Sequence, residues 1–108
     1  MGLFEFFHKK ADINQVHELM RAYEQAMLLD VRTPEEFAVG HLPQAHNLPL
    51  QDISSLAQKV LPHKEAALFV YCRSGVRSAQ AVSQLRQMGY INVEDMGGII
   101  SYKGRLEV

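Results

Sequence analysis

Short apolar runs alternate with helical periodicities along this chain, and that alternation restricts its fold more than any other feature. Met27-Leu28-Leu29 and Ala67-Leu68-Phe69-Val70-Tyr71 are uninterrupted apolar runs of strand length, as expected of strands covered on both faces. Residues 45–48 and 91–96 supply two further short extended pieces. Between them the apolar residues take helical spacing. Ile13, Val16, Leu19, Met20 and Tyr23 follow an Asp12 N-cap, with Gln15 at the reciprocal capping position. Thr33-Pro34-Glu35-Glu36 opens a second helix, with Thr33 and Glu36 as a capping box, and Gly40 ends it. Ile53, Leu56, Ala57, Val60 and Leu61 run from an Asp52 cap to Pro62, and Ala79, Val82, Leu85, Arg86 and Met88 run to Gly89. Gly97-Gly98 is expected to turn the chain before a last helical turn. Buried strands joined by crossover helices make an α/β domain, with a mostly parallel sheet and helices on both faces.

A length of 108 residues suits one such domain, with boundaries expected at 1–11 for an N-terminal arm and 12–108 for the folded unit. The net charge of −1 offers no general basic field for nucleic acid, so any preference for anions must be local. No apolar run reaches the roughly 20 residues of a membrane span. The start does not read as a signal peptide, because its short apolar part carries Glu5 and the lysines Lys9 and Lys10 follow it. Leu3, Phe4, Phe6 and Phe7 are expected to pack as an arm or strand on the domain edge. A single cysteine rules out an internal disulfide and suits the reducing cytoplasm, leaving one free thiol to be explained.

That thiol is Cys72, which ends an apolar strand run and begins Cys72-Arg73-Ser74-Gly75-Val76-Arg77-Ser78. In open parallel sheets ligands bind beyond the carboxyl ends of the strands, where both Asp30 and Cys72 are expected. Gly75 permits the backbone conformations with which successive N–H groups of a tight loop converge on an anion. The helix that follows adds partial positive charge, and Arg73 and Arg77 add fixed charge if they turn toward the mouth. Each effect favours thiolate over thiol, and cysteines so placed reach pKa values of about 3.5–7.5 against about 8.5 for a free thiol.

Four ordered blocks then resemble a known family: residues 29–37 (Leu29-Asp30-Val31-Arg32 and Thr33 to Phe37), residues 40–45, the Cys72–Ser78 loop, and Gly97-Gly98. The chain resembles a single-domain rhodanese, a sulfurtransferase, over about residues 12–102. The resemblance implies a rhodanese-like α/β fold with a central five-stranded sheet. It implies a catalytic Cys72 that takes sulfane sulfur from a donor such as thiosulfate or a persulfide and passes it to a thiol or to cyanide. Arg73, Ser74, Gly75, Val76, Arg77 and Ser78 would cradle the persulfide and the donor, with Asp30 and Arg32 bracing the site. Arg32 is expected to pair with a nearby carboxylate, Glu36 being one candidate at the spacing of an i,i+4 pair. No metal or organic cofactor is implied. The partners are a small anionic sulfur donor and a thiol or cyanide acceptor, with a protein sulfur carrier as a compatible further class. Two departures stand out. The chain has no Trp in the Gly-Gly segment, where Ile99 and Tyr102 stand instead, and Ser74 occupies a loop position where some thiosulfate-using members place a cation.

One alternative is a rhodanese-like module that binds or regulates without chemistry; the retained cysteine and complete loop weigh against it. Another is a cysteine phosphatase or arsenate reductase. Only four residues separate Cys72 from Arg77, one fewer than the phosphatase signature requires. The histidines His8, His17, His41, His46 and His63 show no metal-ligand spacing, and His41 is expected to orient a loop rather than act as a base.

Overall fold

A computed structural model describes residues 11–108. Strands β1 (Met27–Asp30), β2 (Ala45–Asn47), β3 (Leu68–Cys72) and β4 (Val93–Gly98) form one sheet in the order β2-β1-β3-β4. All three pairings are parallel, and register places Asp30 beside Tyr71 and Cys72 beside Gly98. Helices α1 (Val16–Met20), α2 (Pro34–Ala38), α3 (Ile53–Val60) and α4 (Val76–Gln87) connect them.

Every residue of β3 is buried, as its unbroken apolar run predicts for a central strand. Its side chains alternate between two cores. Leu68, Val70 and Cys72 join Leu29 and Val31 under α3 and α4, whose Ile53, Ala57, Ala81 and Leu85 are fully buried. Phe69 and Tyr71 face the opposite layer with Leu28, Met96, Ile13 and Val16, the last at the start of α1. Helices therefore cover both faces. None of the described helices is long and apolar enough to cross a membrane.

Several local expectations change. The sheet has four strands among the described residues, not five. Beyond it, the described residues add a single antiparallel bridge between His41 and Glu107. Residues 103–108 beside it are exposed, so no buried face drives that pairing to extend. The Leu3–Phe7 arm lies outside the described residues. Asp12 caps a 3₁₀ turn, accepting the Asn14 N–H at 2.9 Å, and α1 ends at Met20, leaving Tyr23 54% exposed. Asp52 closes a 3₁₀ turn at Leu50–Asp52, and its side chain does not cap α3. Gly97-Gly98 belongs to β4, because pairing with β3 continues to Cys72 through a register shift.

The connections decide where a ligand can sit. From β1 the chain moves outward to β2, then returns across the sheet to β3 on the other side of β1. In open α/β sheets such a reversal marks the crevice where ligands bind, here beyond the carboxyl ends of β1 and β3. Asp30 ends one strand and Cys72 the other.

Candidate functional site

Gly75 carries φ +110°, a backbone conformation that favours glycine, and serves as the N-cap of α4. The turn it makes brings its N–H back to Cys72, donating to Sγ at 3.0 Å. Cys72 is only 1% exposed. Burial pushes its thiol pKa up, but the Ser78 amide and hydroxyl, together with the Gly75 and Ser74 amides, outweigh that and leave it below its ordinary value. Ser78 is fully buried, its hydroxyl 3.1 Å from the Gly75 carbonyl and 3.4 Å from the Gly97 carbonyl. The loop thus gathers hydrogen-bond donors around one sulfur.

The Gly97-Gly98 end of β4 buttresses this loop. A Cβ at Gly98 would lie 2.7 Å from Ser74 Cα and closer still to the Arg73 carbonyl oxygen. The Ile100 N–H donates to that carbonyl at 3.2 Å, fixing the peptide that leads into the cradle. Sequence reasoning took the glycine pair as a turn and missed this contact; the adjacent glycines were its only local signal.

Asp30 and Arg32 form a buried pair beneath the crevice, Arg32 Nη2 lying 2.6 Å from Asp30 Oδ2 with Nε at 3.0 Å from both carboxylate oxygens. The Arg32 backbone N–H donates to Asp30 Oδ1 at 2.9 Å, and Nη2 also donates to the Gly40 carbonyl at 2.7 Å. Asn47 Nδ2 donates to the carbonyls of Asp30 and Arg32, both at 2.9 Å, which pins the turn after β1. Tyr71 lies alongside, its ring 5.8 Å from the Arg32 guanidinium and its hydroxyl accepting the Leu42 N–H at 3.1 Å. Burial and the neighbouring Asp30 charge push its phenol well above the usual range.

Arg32 does not pair with Glu36. Thr33 is extended at φ −68°, ψ 160°, so Arg32 lies outside the helix and the i,i+4 geometry never forms. Glu36 instead completes the capping box of α2 and takes Arg77. Its Oε1 accepts from the Thr33 N–H at 2.9 Å and from Arg77 Nη1 at 2.7 Å, while Oε2 accepts from Arg77 Nη2 at 3.0 Å. The Arg77 bonds above all, and those from Thr33, lower the Glu36 pKa to about 2. Of the predicted loop residues, Cys72, Ser74, Gly75 and Ser78 converge on the sulfur, while Arg77 is held at the side by Glu36. Arg73 and Val76 are exposed, and Arg73 has no side-chain partner among the described residues. His41 donates through Nδ1–H to the Phe37 carbonyl at 2.9 Å and stacks on the Phe37 ring with centroids 3.7 Å apart.

Comparison with known proteins gives a consistent picture. The sequence model of the rhodanese-like domain matches residues 12–103. The thiosulfate sulfurtransferase PspE of Escherichia coli is 38% identical over 71 residues, 66% of this chain and 68% of that protein. A sulfurtransferase of Allochromatium vinosum is 38% identical over 92 residues, 84% of each. Among solved structures, a rhodanese with anions from E. coli superposes with a TM-score of 0.71 at 33% identity, covering 76% of this chain and 96% of its own. A rhodanese-like domain protein from Staphylococcus aureus gives 0.75 at 28% identity, covering 94% and 98%.

Proposed function

This chain belongs to the rhodanese-like domain family and is a sulfurtransferase, and from that premise we propose that Cys72 is the nucleophile that carries the sulfur. The observation that supports this most directly is the Gly75 N–H at 3.0 Å from a buried Sγ whose pKa the loop lowers. A thiolate at neutral pH is both nucleophilic and a good seat for a second sulfur.

The reaction runs in two halves. The Cys72 thiolate attacks the sulfane sulfur of a donor; a sulfur–sulfur bond forms to Sγ and the donor's own bond to that sulfur breaks. The leaving group departs with the electron pair, sulfite from thiosulfate or a thiolate from an organic persulfide. Negative charge moves to the outer sulfur of the Cys72 persulfide, where the N–H groups of residues 73–78 receive it. A thiolate or cyanide then attacks that outer sulfur, and Cys72 leaves as thiolate, ready for the next cycle. Such ping-pong chemistry asks less of a general base, because the loop lowers the Cys72 pKa and so favours the thiolate. Asp30 and Arg32 hold the carboxyl end of β1 beside the loop and act through position, not contact.

Phosphate hydrolysis has less support, because Arg77 spends both guanidinium prongs on Glu36 instead of clamping a tetrahedral anion. Incubation with thiosulfate or a persulfide should add the mass of one sulfur atom to the intact protein, removable by cyanide, and Cys72→Ser should abolish the addition. Dephosphorylation of an aryl phosphate by folded protein that neither donor can load would refute the proposal.

A further inference from the structure

The charges around Cys72 are unevenly available. Asp30 and Arg32 neutralise each other below the crevice, both almost fully buried. Arg77 and Glu36 neutralise each other at its side through two hydrogen bonds of 2.7 and 3.0 Å, with side chains 32% and 29% exposed. Of the charged groups Asp30, Arg32, Glu36, Arg73 and Arg77, four form two ion pairs, and Arg73 has no side-chain partner among the described residues. The thiolate itself carries one negative charge.

An incoming thiosulfate carries two negative charges toward that thiolate, one on each end. An organic persulfide brings one negative charge, or none when protonated, and its remaining bulk is carbon. Two aliphatic side chains stand exposed beside the loop: Val76, 66% exposed at the start of α4, and Ile100, 64% exposed on the segment whose N–H binds Arg73. A surface with one free cation and exposed aliphatic groups suits the second donor better than the first.

We propose that Glu36 sets donor choice: by occupying both prongs of Arg77 and offsetting its charge beside Cys72, it favours organic persulfides over dianionic thiosulfate. Glu36 is therefore a specificity residue acting through Arg77, not a catalytic one. This rests on Cys72 being the sulfur carrier.

The donor exchange balances for either substrate. With a persulfide R–S–S⁻, the Cys72 thiolate forms a bond to the outer sulfur and the sulfur–sulfur bond of the donor breaks, releasing R–S⁻. With thiosulfate the same attack releases sulfite, and no oxidant or reductant is consumed.

The test compares kcat/KM for thiosulfate and for 2-hydroxyethyl persulfide, whose remainder is uncharged, in wild type, Glu36→Gln, and the double variant Glu36→Gln with Arg77→Gln. Glutamine at position 36 still serves a capping box, so α2 keeps its start while the carboxylate charge is lost. Wild type should prefer the persulfide by tenfold or more. Glu36→Gln should raise the thiosulfate-to-persulfide ratio about tenfold, and the double variant should return it to the wild-type value. Equal use of the two donors by wild type overturns the proposal without need of any variant. So does an unchanged or lowered ratio in folded Glu36→Gln, or a double variant whose ratio falls below wild type. Loading from both donors that follows none of this pattern leaves sulfur transfer standing and removes only the role of Glu36. Failure of both donors to add sulfur to Cys72 sinks the sulfur-carrier role itself, and this proposal with it.

Discussion

Gly98 lies so close to Arg73 that no side chain fits between the end of β4 and the loop that carries Cys72. A Cβ there would meet the Arg73 carbonyl and stand 2.7 Å from Ser74 Cα, all backbone atoms with no flexible end to yield. The loop that holds Cys72 is thus pressed into place from behind by a neighbouring strand.

Gly98→Ala should therefore displace residues 73–74 while leaving both cores intact. Overpacking of this kind costs about 1–3 kcal/mol in stability. The activity cost should be larger in proportion, on the order of 100-fold, since a shift of about 1 Å in a positioning group can cost that much. Single-turnover sulfur loading, followed by mass, measures it against a thermal unfolding curve. A variant that loads sulfur at the wild-type rate would show that the loop tolerates movement.

The Cys72 thiolate should persist to lower pH than a free thiol. Its folded pKa is depressed, so ionisation, and any stability linked to it, is present above the unfolded value of about 8.5 and is lost only as pH falls through the lowered folded value. Ultraviolet absorbance of the thiolate should give a midpoint below that of free cysteine. Ser78→Ala removes the hydroxyl and should move the midpoint upward; an unmoved midpoint would assign the depression to the amides alone.

Acid should weaken the junction between α2 and the loop. Glu36 falls from its ordinary 4.5 to about 2 on folding, so its contribution is complete above about 4.5 and disappears as pH drops from there through about 2. Urea unfolding of wild type and Glu36→Gln should differ at pH 7, typically by about 1 kcal/mol for a part-exposed pair, and converge as pH falls through that window. A gap that stays constant with pH would mean that the carboxylate charge contributes nothing.

Asp30→Asn should be among the most damaging single changes in the chain. It leaves the Arg32 guanidinium buried without its counter-charge, and breaking one side of such a pair costs about 3–5 kcal/mol. Asp30→Asn with Arg32→Leu should recover part of that loss by removing the stranded cation. Chemical denaturation of Asp30→Asn, Arg32→Leu and the double variant would reveal the coupling, and additive losses would argue against it.

How much of this was legible in the sequence depends on the range of each interaction. β1, β3 and the Thr33–Glu36 capping box are local: an apolar run or a four-residue pattern specifies them, and the structure holds them where expected. The position of Cys72 at a strand end was readable for the same reason. The partner of Glu36 was not, because Arg77 lies 41 residues away and only the fold brings them together. Asp52 resembled a helix cap because nothing in the sequence distinguishes the 3₁₀ turn preceding α3. Gly97-Gly98 reads as a turn because Gly97 does carry a left-handed φ of 83°, while Gly98 serves close packing against another segment, which leaves no pattern of its own.

The groups favouring the sulfur anion at Cys72 are mostly peptide N–H groups, with one serine hydroxyl. A peptide N–H is common to nineteen of the twenty amino acids, proline being the exception. Exchange of exposed Arg73, Ser74 or Val76 therefore alters which molecules approach without dismantling what receives them. With Cys72 as the proposed sulfur carrier, the loop separates recognition, written in side chains that can drift, from sulfur holding, written in the main chain that cannot. A family built on such a loop can change donors by surface substitution while its central chemistry stays the same.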